Sequence, residues 1–257
     1  MTAGEILAAW KAEAARDAVA AKLNDRMIDL ASPVTENGSI QAVDINTPEG
    51  VGVLRHSISH VMAEAVQQLF PNVKVTIGPS IEDGFYYDFD CESTFTPEDL
   101  KKIEKRMAEI AAKDEPFTRR EVSREEAIEL FEKKGEPYKV ELIQDLPADV
   151  RTVSLYTQGD FTDLCRGPHI PATGKIKAFK LLNVAGAYWR GDEHNKMLQR
   201  IYGTGFATTE QMEEYLAFIE EAKRRDHRKL GRELDLFQIN EEVGPGLIIW
   251  HPKGAML

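Results

Sequence analysis

The stretch LRHSISHVMAEAVQQLF, from Leu54 to Phe70, constrains this chain more than any other. Leu54, Ile58, Val61, Ala65 and Leu69 recur at helical spacing, and Pro71 ends the pattern. A helix with such an apolar stripe needs a second layer to cover it. His56 and His60 are one helical turn apart, on a stripe with Ala63 and Gln67 that runs beside the apolar face. Their imidazoles therefore project together, roughly 5–6 Å apart.

What surrounds this helix predicts the second layer. Thr96-Pro97 opens a helix with Leu100, Ile103, Met107 and Ile110 on one side; another begins at Ser123, with Glu126 in capping-box position, and stops at Gly135. From Tyr138 the character turns to strands, YKVELI, TVSLYTQ, KAFKLLNVAG and KMLQRIYGTGF, with DLCRGPH and GAYWRGDEHN in the loops between them. The expected fold class is α+β, an antiparallel sheet with covering helices. Before it, residues 1–46 read as a small unit, with a capping box at Thr2-Ala3-Gly4-Glu5 and a hairpin turn at Asn24-Asp25. Such a unit is marginal alone, so part of it precedes Met1 or it packs on the rest. INTPEGVG reads as the linker. After residues 47–207, Thr208-Thr209-Glu210-Gln211 caps a long helix over 208–234, and residues 235–257 start a new unit whose strand LIIW has nothing after it to pair with. The chain reads as truncated there.

Composition excludes several classes. The 257 residues, 42% hydrophobic and 29% charged, are those of a soluble globular chain of two domains, or one domain and a fragment. No window reaches the roughly 18 apolar residues of a membrane span, and the acidic N-terminus has no signal-peptide core, so the expected compartment is the cytoplasm. A net charge of −11 argues against binding nucleic acid by bulk attraction. A local patch is still available. The run EEAKRRDHRKLGR, Glu220 to Arg232, holds six Lys and Arg against three acids, and it reads equally as a solvated helix face.

Two short motifs carry metal-binding or acid–base side chains: His56-x-x-x-His60 on the helix and Cys165-x-x-x-His169 on a loop. With Ser57 where a zincin has Glu, the first is not that motif. Together the four residues fit tetrahedral zinc. They equally fit a metal-free site, with His56 or His60 as general base, Asp163 as an orienting acceptor and Cys165 as nucleophile or polar wall. A thiol with an ordinary pKa near 8.5 is only a few per cent thiolate at neutral pH. Arg166 would raise that fraction and Asp163 would oppose it. Cys91, among Asp88, Asp90 and Glu92, reads as structural, and His194, His227 and His251 have no partner that the sequence names.

The runs RHSISHVMAEAVQQLFPNVKVTIGPSIEDGFYYDFD, YKVELI, DLCRGPHIP, FKLLNVAGAYWRGDEHNKMLQRIYGTGF and RDHRKLGRELDLF, in this order over about two hundred residues, resemble the editing region of bacterial threonyl-tRNA synthetases. The resemblance implies that residues 1–46 are a partial TGS domain, a β-grasp unit lacking its first strands. Residues 47–207 would be the editing domain, the second additional domain of threonyl- and alanyl-tRNA synthetases, followed by a linker helix. Residues 235–257 would enter a class II catalytic domain whose ATP, magnesium, threonine and zinc sites lie beyond Leu257. The implied reaction is hydrolysis of the ester joining serine to the 3′-terminal adenosine of tRNA(Thr). Threonine and serine differ by one methyl, which a pocket discriminates by only about 1–3 kcal/mol, so a second, hydrolytic sieve is needed.

By the same resemblance the editing residues fall on His56, His60, Lys139, Asp163, Cys165 and His169, with Tyr87 in the pocket wall. His56 and Lys139 would hold or activate the attacking water, Asp163 would bind the seryl amino or hydroxyl group, and Cys165, His60 and His169 would shape the cavity. Alanyl-type editing proteins hold zinc with the same HxxxH and CxxxH pairs, whereas the threonyl branch works without a metal, so no cofactor is expected in this fragment. The implied partner is tRNA(Thr), with the fragment a monomer and the full-length enzyme a homodimer. A tRNA-binding or regulatory fragment without catalysis, and a freestanding alanyl-type editing protein, are the alternatives.

Overall fold

A computed structural model describes residues 1–239 and 247–256; residues 240–246 and Leu257 lie outside the described residues. The chain divides into two units, Met1–Thr209 and Glu210–Leu257.

The first unit begins with helices α1 (Ala3–Trp10) and α2 (Ala12–Arg16) and strands β1 (Ala18–Leu23), β2 (Arg26–Ile28) and β3 (Ile40–Asp44), in an antiparallel sheet of order β2-β1-β3. Thr2 and Glu5 close the expected capping box on α1. Asn24 and Asp25 take φ of 48° and 65°, the two positive values that a two-residue hairpin turn needs to match strand twist. Strand β1 is small and apolar on both faces: Ala21 packs with Ala3 and Leu7, while Val19 and Ala20 join the core built by the next helix. The sheet therefore does pack on the rest of the chain.

That helix, α3 (Pro48–Leu69), starts earlier than the linker reading of INTPEGVG allows. Thr47 is its N-cap, accepting from the Gly50 N–H at 3.1 Å, and Pro48 occupies the first turn. Pro is favoured there because its missing N–H has no partner to lose. Gly50 lets the helix pass against β3: a Cβ there would lie 1.9 Å from the Asp44 carbonyl oxygen. Every residue from Ser57 to Val66 is buried, so α3 runs through the centre of the unit.

Next come β4 (Lys74–Val75), β5 (Ser80–Ile81), β6 (Gly84–Asp90), α4 (Pro97–Ala112), β7 (Thr118–Ser123), α5 (Arg124–Lys134), α6 (Pro137–Gln144), β8 (Thr152–Gln158), β9 (Phe161–Leu164), β10 (Ala178–Tyr188) and β11 (Met197–Phe206). The larger sheet has the order β10-β11-β6-β4, with β5 on β6, and the smaller the order β7-β8-β9; all pairings are antiparallel. The α+β expectation holds, with its strands in separate sheets. Phe85, Tyr87 and Phe89 alternate into the core against Ile58 and Met62 of α3 and Ile103 and Met107 of α4. A second core joins Phe131 of α5 and Ile143 of α6 to Leu155 of β8.

One predicted strand is a helix. YKVELI forms α6, with Pro137 in its first turn and Lys139 and Ile143, four residues apart, on its buried side. A six-residue run with β-branched and apolar positions does not separate strand from buried helix by periodicity alone.

In the second unit the body of α7 (Thr209–Arg224) leads to α8 (His227–Glu233), capped by Asp226, and to strands β12 (Phe237–Ile239) and β13 (Ile248–Trp250). LIIW does have a partner: β13 pairs antiparallel with the preceding β12. In the basic run, Arg225 pairs with Glu221 and Arg228 with Asp226, as on a solvated helix face. Among the described residues, no helix is long and apolar enough to cross a membrane.

Candidate functional site

The structure brings all seven predicted residues together. His56 and His60 come from α3, Tyr87 from β6, Lys139 from α6, Asp163 from β9, and Cys165 and His169 from the loop after β9. The His56 and His60 rings lie 5.0 Å apart, and His169 sits 4.5 and 4.3 Å from them. His60, Tyr87, Lys139, Asp163 and His169 are buried, whereas His56 and Cys165 are half-buried and form the open side of the cluster.

Hydrogen bonds fix the two outer imidazoles. The Gly78 carbonyl, an acceptor only, lies 3.3 Å from His56 Nδ1, so that nitrogen carries the proton and Nε2 is left bare. Ser57 Oγ donates to the Val53 carbonyl at 2.8 Å and is then free to accept from His169 Nδ1–H at 3.1 Å, which leaves His169 Nε2 bare as well. Both bare nitrogens face Cys165 Sγ, at 3.0 and 3.4 Å. The thiol has one proton and can give it to only one of them. The other lone pair is available to a water or a substrate.

Burial keeps this group uncharged. It lowers the pKa of His56, and lowers those of His60 and His169 further, with neighbouring imidazoles adding to the effect on the two inner rings. Burial also pushes the Cys165 thiol up to about 12; the Gly167 N–H opposes this and the nearby Asp163 reinforces it. Cys165 so raised keeps its proton at neutral pH, without the thiolate that a nucleophile needs. His56, neutral and reachable, has the state a general base needs.

Behind the imidazoles lies an ion pair between Lys139 and Asp163. Lys139 also donates to Tyr87 Oη at 3.1 Å, and Tyr87 donates to Asp163 Oδ2 at 2.7 Å. Burial and Asp163 hold the Tyr87 phenol protonated. The Leu164 N–H fills Asp163 Oδ1 at 2.7 Å, and His60 Nε2 lies 3.7 Å from Oδ2. Oδ1 thus meets Lys139 and the Leu164 N–H, while Oδ2 accepts from Tyr87 and faces His60.

Sequence reasoning missed the residues that hold these groups in place. Ser57 accepts from the Ile170 N–H at 3.0 Å as well as from His169. Gly78 anchors His56, and Tyr156 packs edge-on to His169 at 4.5 Å. Asp29, from the N-terminal sheet, accepts from the His169 N–H and the Tyr156 hydroxyl. Only Ser57 carried a local signal, by its place within the HxxxH pair. Cys91 stands apart, donating to the Ser93 carbonyl, while His194 pairs with Asp192 and His251 with Asp235.

The donor set has the chemistry of a zinc site but is spread wider than one. The ligand atoms of His56, His60, Cys165 and His169 lie within 4.8 Å of one another. Tetrahedral zinc at its usual bond lengths sets its ligands about 3.4–3.7 Å apart. Gly78 and Ser57 stand where second partners of ligating histidines belong. Cys165 would have to give up its proton.

Known proteins match this chain on both scales. The family described as threonyl and alanyl tRNA synthetase second additional domain matches residues 153–202, which include Asp163, Cys165 and His169. Along its length the chain is similar to the threonine--tRNA ligases of Pelobacter propionicus, 58% identical over 256 residues, and Acidovorax sp. strain JS42, 54% over 257; both alignments cover 100% of this chain and 40% of the relative. That of Nitratidesulfovibrio vulgaris is 57% identical over 243 residues, 94% of this chain and 37% of the relative. The chain spans about 40% of the length of these relatives. Residues 153–202 thus match the additional domain, and the whole chain is similar, at 54–58% identity, to about 40% of the length of threonine--tRNA ligases.

Proposed function

We propose that this chain is the editing part of a threonine-tRNA ligase, hydrolysing serine from mischarged tRNA(Thr). The observation that carries the reading is the bare Nε2 of a neutral, half-buried His56 beside Cys165, in front of a buried Lys139–Asp163 pair. A water held at His56 attacks the seryl ester carbonyl while Nε2 takes its proton. The carbonyl–oxygen bond to the 3′-terminal ribose breaks, and the imidazolium returns the proton to the leaving hydroxyl. The field of Asp163 draws the seryl ammonium inward. Lys139 and Tyr87 fix that carboxylate, and Cys165, His60 and His169 close the cavity against the extra methyl of threonine. A cleft of about 500 Å³ opens at Cys165, lined by Arg166 and by Arg119 paired with Glu121; Arg166 is a cation suited to a phosphate of a tRNA end.

A second reading of the same site is favoured by the convergence of the His56, His169 and Cys165 lone pairs: zinc held there would lower the pKa of a bound water. A non-catalytic tRNA-binding fragment is the remaining alternative. In the wider proposal, residues 1–46 are a partial TGS unit, 47–207 the editing domain, 208–234 a linker helix and 235–257 the start of the class II domain, in a cytoplasmic enzyme that joins threonine to tRNA(Thr) with ATP. The fragment is read as a monomer.

The test is release of serine and threonine from charged tRNA(Thr) by the chain and by its His56→Ala variant. Seryl-tRNA should be hydrolysed, threonyl-tRNA spared and the substitution should abolish release. Equal loss of both esters, or an indifferent substitution, overturns the proposal.

A further inference from the structure

We infer that Asp29, from the N-terminal sheet, is a positioning residue of this site. It follows β2, 127 residues before Tyr156 and 140 before His169, yet its carboxylate holds both: Oδ1 accepts from the His169 N–H at 2.9 Å and Oδ2 from the Tyr156 hydroxyl at 2.7 Å. The Tyr156 hydroxyl in turn occupies the space beside Gly167, where a Cβ would lie 1.9 Å from it. Ser57 takes the next amide, Ile170, from the side of α3. Two successive N–H groups of the loop are therefore held by different elements, one by the residue that follows β2 and one by the central helix.

This clamp sets the direction of His169. With its backbone N–H on Asp29 and its Nδ1 on Ser57, the ring can point Nε2 only toward Cys165. Phe117 stacks on the ring at 4.9 Å and Tyr156 closes its edge. Without Asp29 the His169 N–H and the Tyr156 hydroxyl lose their acceptor together, and His169 is left without the backbone anchor that complements those of Cys165 on Ser154 and Ile170 on Ser57. The N-terminal sheet thus completes a site whose other residues all belong to the segment from α3 onward.

The test uses Asp29→Ala and Asp29→Asn in the whole chain, with two readouts. Amide hydrogen exchange over residues 163–170 should quicken by about tenfold or more in Asp29→Ala, the loss of one buried hydrogen bond, and stay unchanged in α4. The activity arm rests on the deacylation reading: kcat for serine release should fall about 10–100-fold with KM within about threefold, as for other orienting partners. Asp29→Asn keeps an oxygen for the His169 N–H and should restore both readouts to within about threefold. Exchange and kcat like the parent in Asp29→Ala, exchange that quickens equally throughout the chain, or no restoration by Asp29→Asn overturns the inference. If the parent chain releases no serine, the deacylation reading has failed, and the exchange comparison still decides the role of Asp29.

Discussion

Lys139 of α6 and Asp163 of β9 form an ion pair in which both side chains are almost closed to solvent, at 2% and 3% exposure. Such a pair contributes little beyond a well-packed apolar one, but breaking it leaves a charge with neither water nor partner. Lys139→Ala should therefore cost about 3–5 kcal/mol, read as a lower urea midpoint. Tyr87→Phe, which removes the hydroxyl that donates to Asp163 and accepts from Lys139, should cost about 1–3 kcal/mol. A Lys139→Ala chain that unfolds at the parental urea concentration would show that the pair does not anchor the site.

Gly167 is held by two constraints at once. Its φ is +70°, and a Cβ would meet Tyr156 Oη at 1.9 Å. Gly191 has nearly the same φ, +73°, with nothing within 4 Å. Gly191→Ala should then cost only the left-handed strain, about 1–2 kcal/mol. Gly167→Ala adds overpacking of about 1–3 kcal/mol and should slow serine release as well. Thermal denaturation of the two variants separates the contributions; equal losses would mean that Tyr156 moves aside without cost.

These sites show where the sequence was legible. His56 and His60 could be paired from spacing alone because helical geometry fixes what lies one turn apart. The caps at Thr2, Thr96 and Ser123 and the Asn24-Asp25 turn were readable for the same reason, each being decided within four residues. The YKVELI helix was not, since its burial against β4 and β8 decides a segment whose own preference is divided. Neither was Asp29, whose two bonds span more than a hundred residues and leave no local pattern. The gathering of Lys139, Asp163, Cys165 and His169 around α3 came from family resemblance; their spacing alone does not dictate it.

Glu64 lies two turns along α3 from His56 and sets a pH dependence of its own. Burial, followed by the nearby charge of Glu115, raises its carboxyl pKa to about 7, and one of its oxygens has no hydrogen-bond partner among the described residues. The folded chain then keeps a proton that the unfolded chain releases near 4.5. Between those values the native state binds more protons, so this group's contribution to stability falls as pH rises and is level above about 7. Glu64→Gln keeps the shape without the ionisation. It should be more stable than the parent by about 1–2 kcal/mol near pH 8, with the advantage vanishing near pH 4.5. Urea midpoints that differ by the same amount at both pH values would show that Glu64 ionises in the fold without penalty.

The zinc question turns on how many lone pairs converge. His56 Nε2, His169 Nε2 and Cys165 Sγ share one space, but His60 turns its Nε2 toward Asp163 at 3.7 Å, and the set spreads to 4.8 Å where a tetrahedral ion needs less. The thiol, pushed up to about 12, also resists giving up the proton that a metal would have to displace. An ion would have to draw the four ligand atoms closer together and deprotonate a buried thiol. The expected outcome is well under one zinc per chain in protein purified without chelators, with serine release unchanged by chelation. Elemental analysis with a chelator titration checks both. One tightly held zinc per chain, with release lost on its removal, would move the attacking water from His56 to the metal and make the four residues ligands.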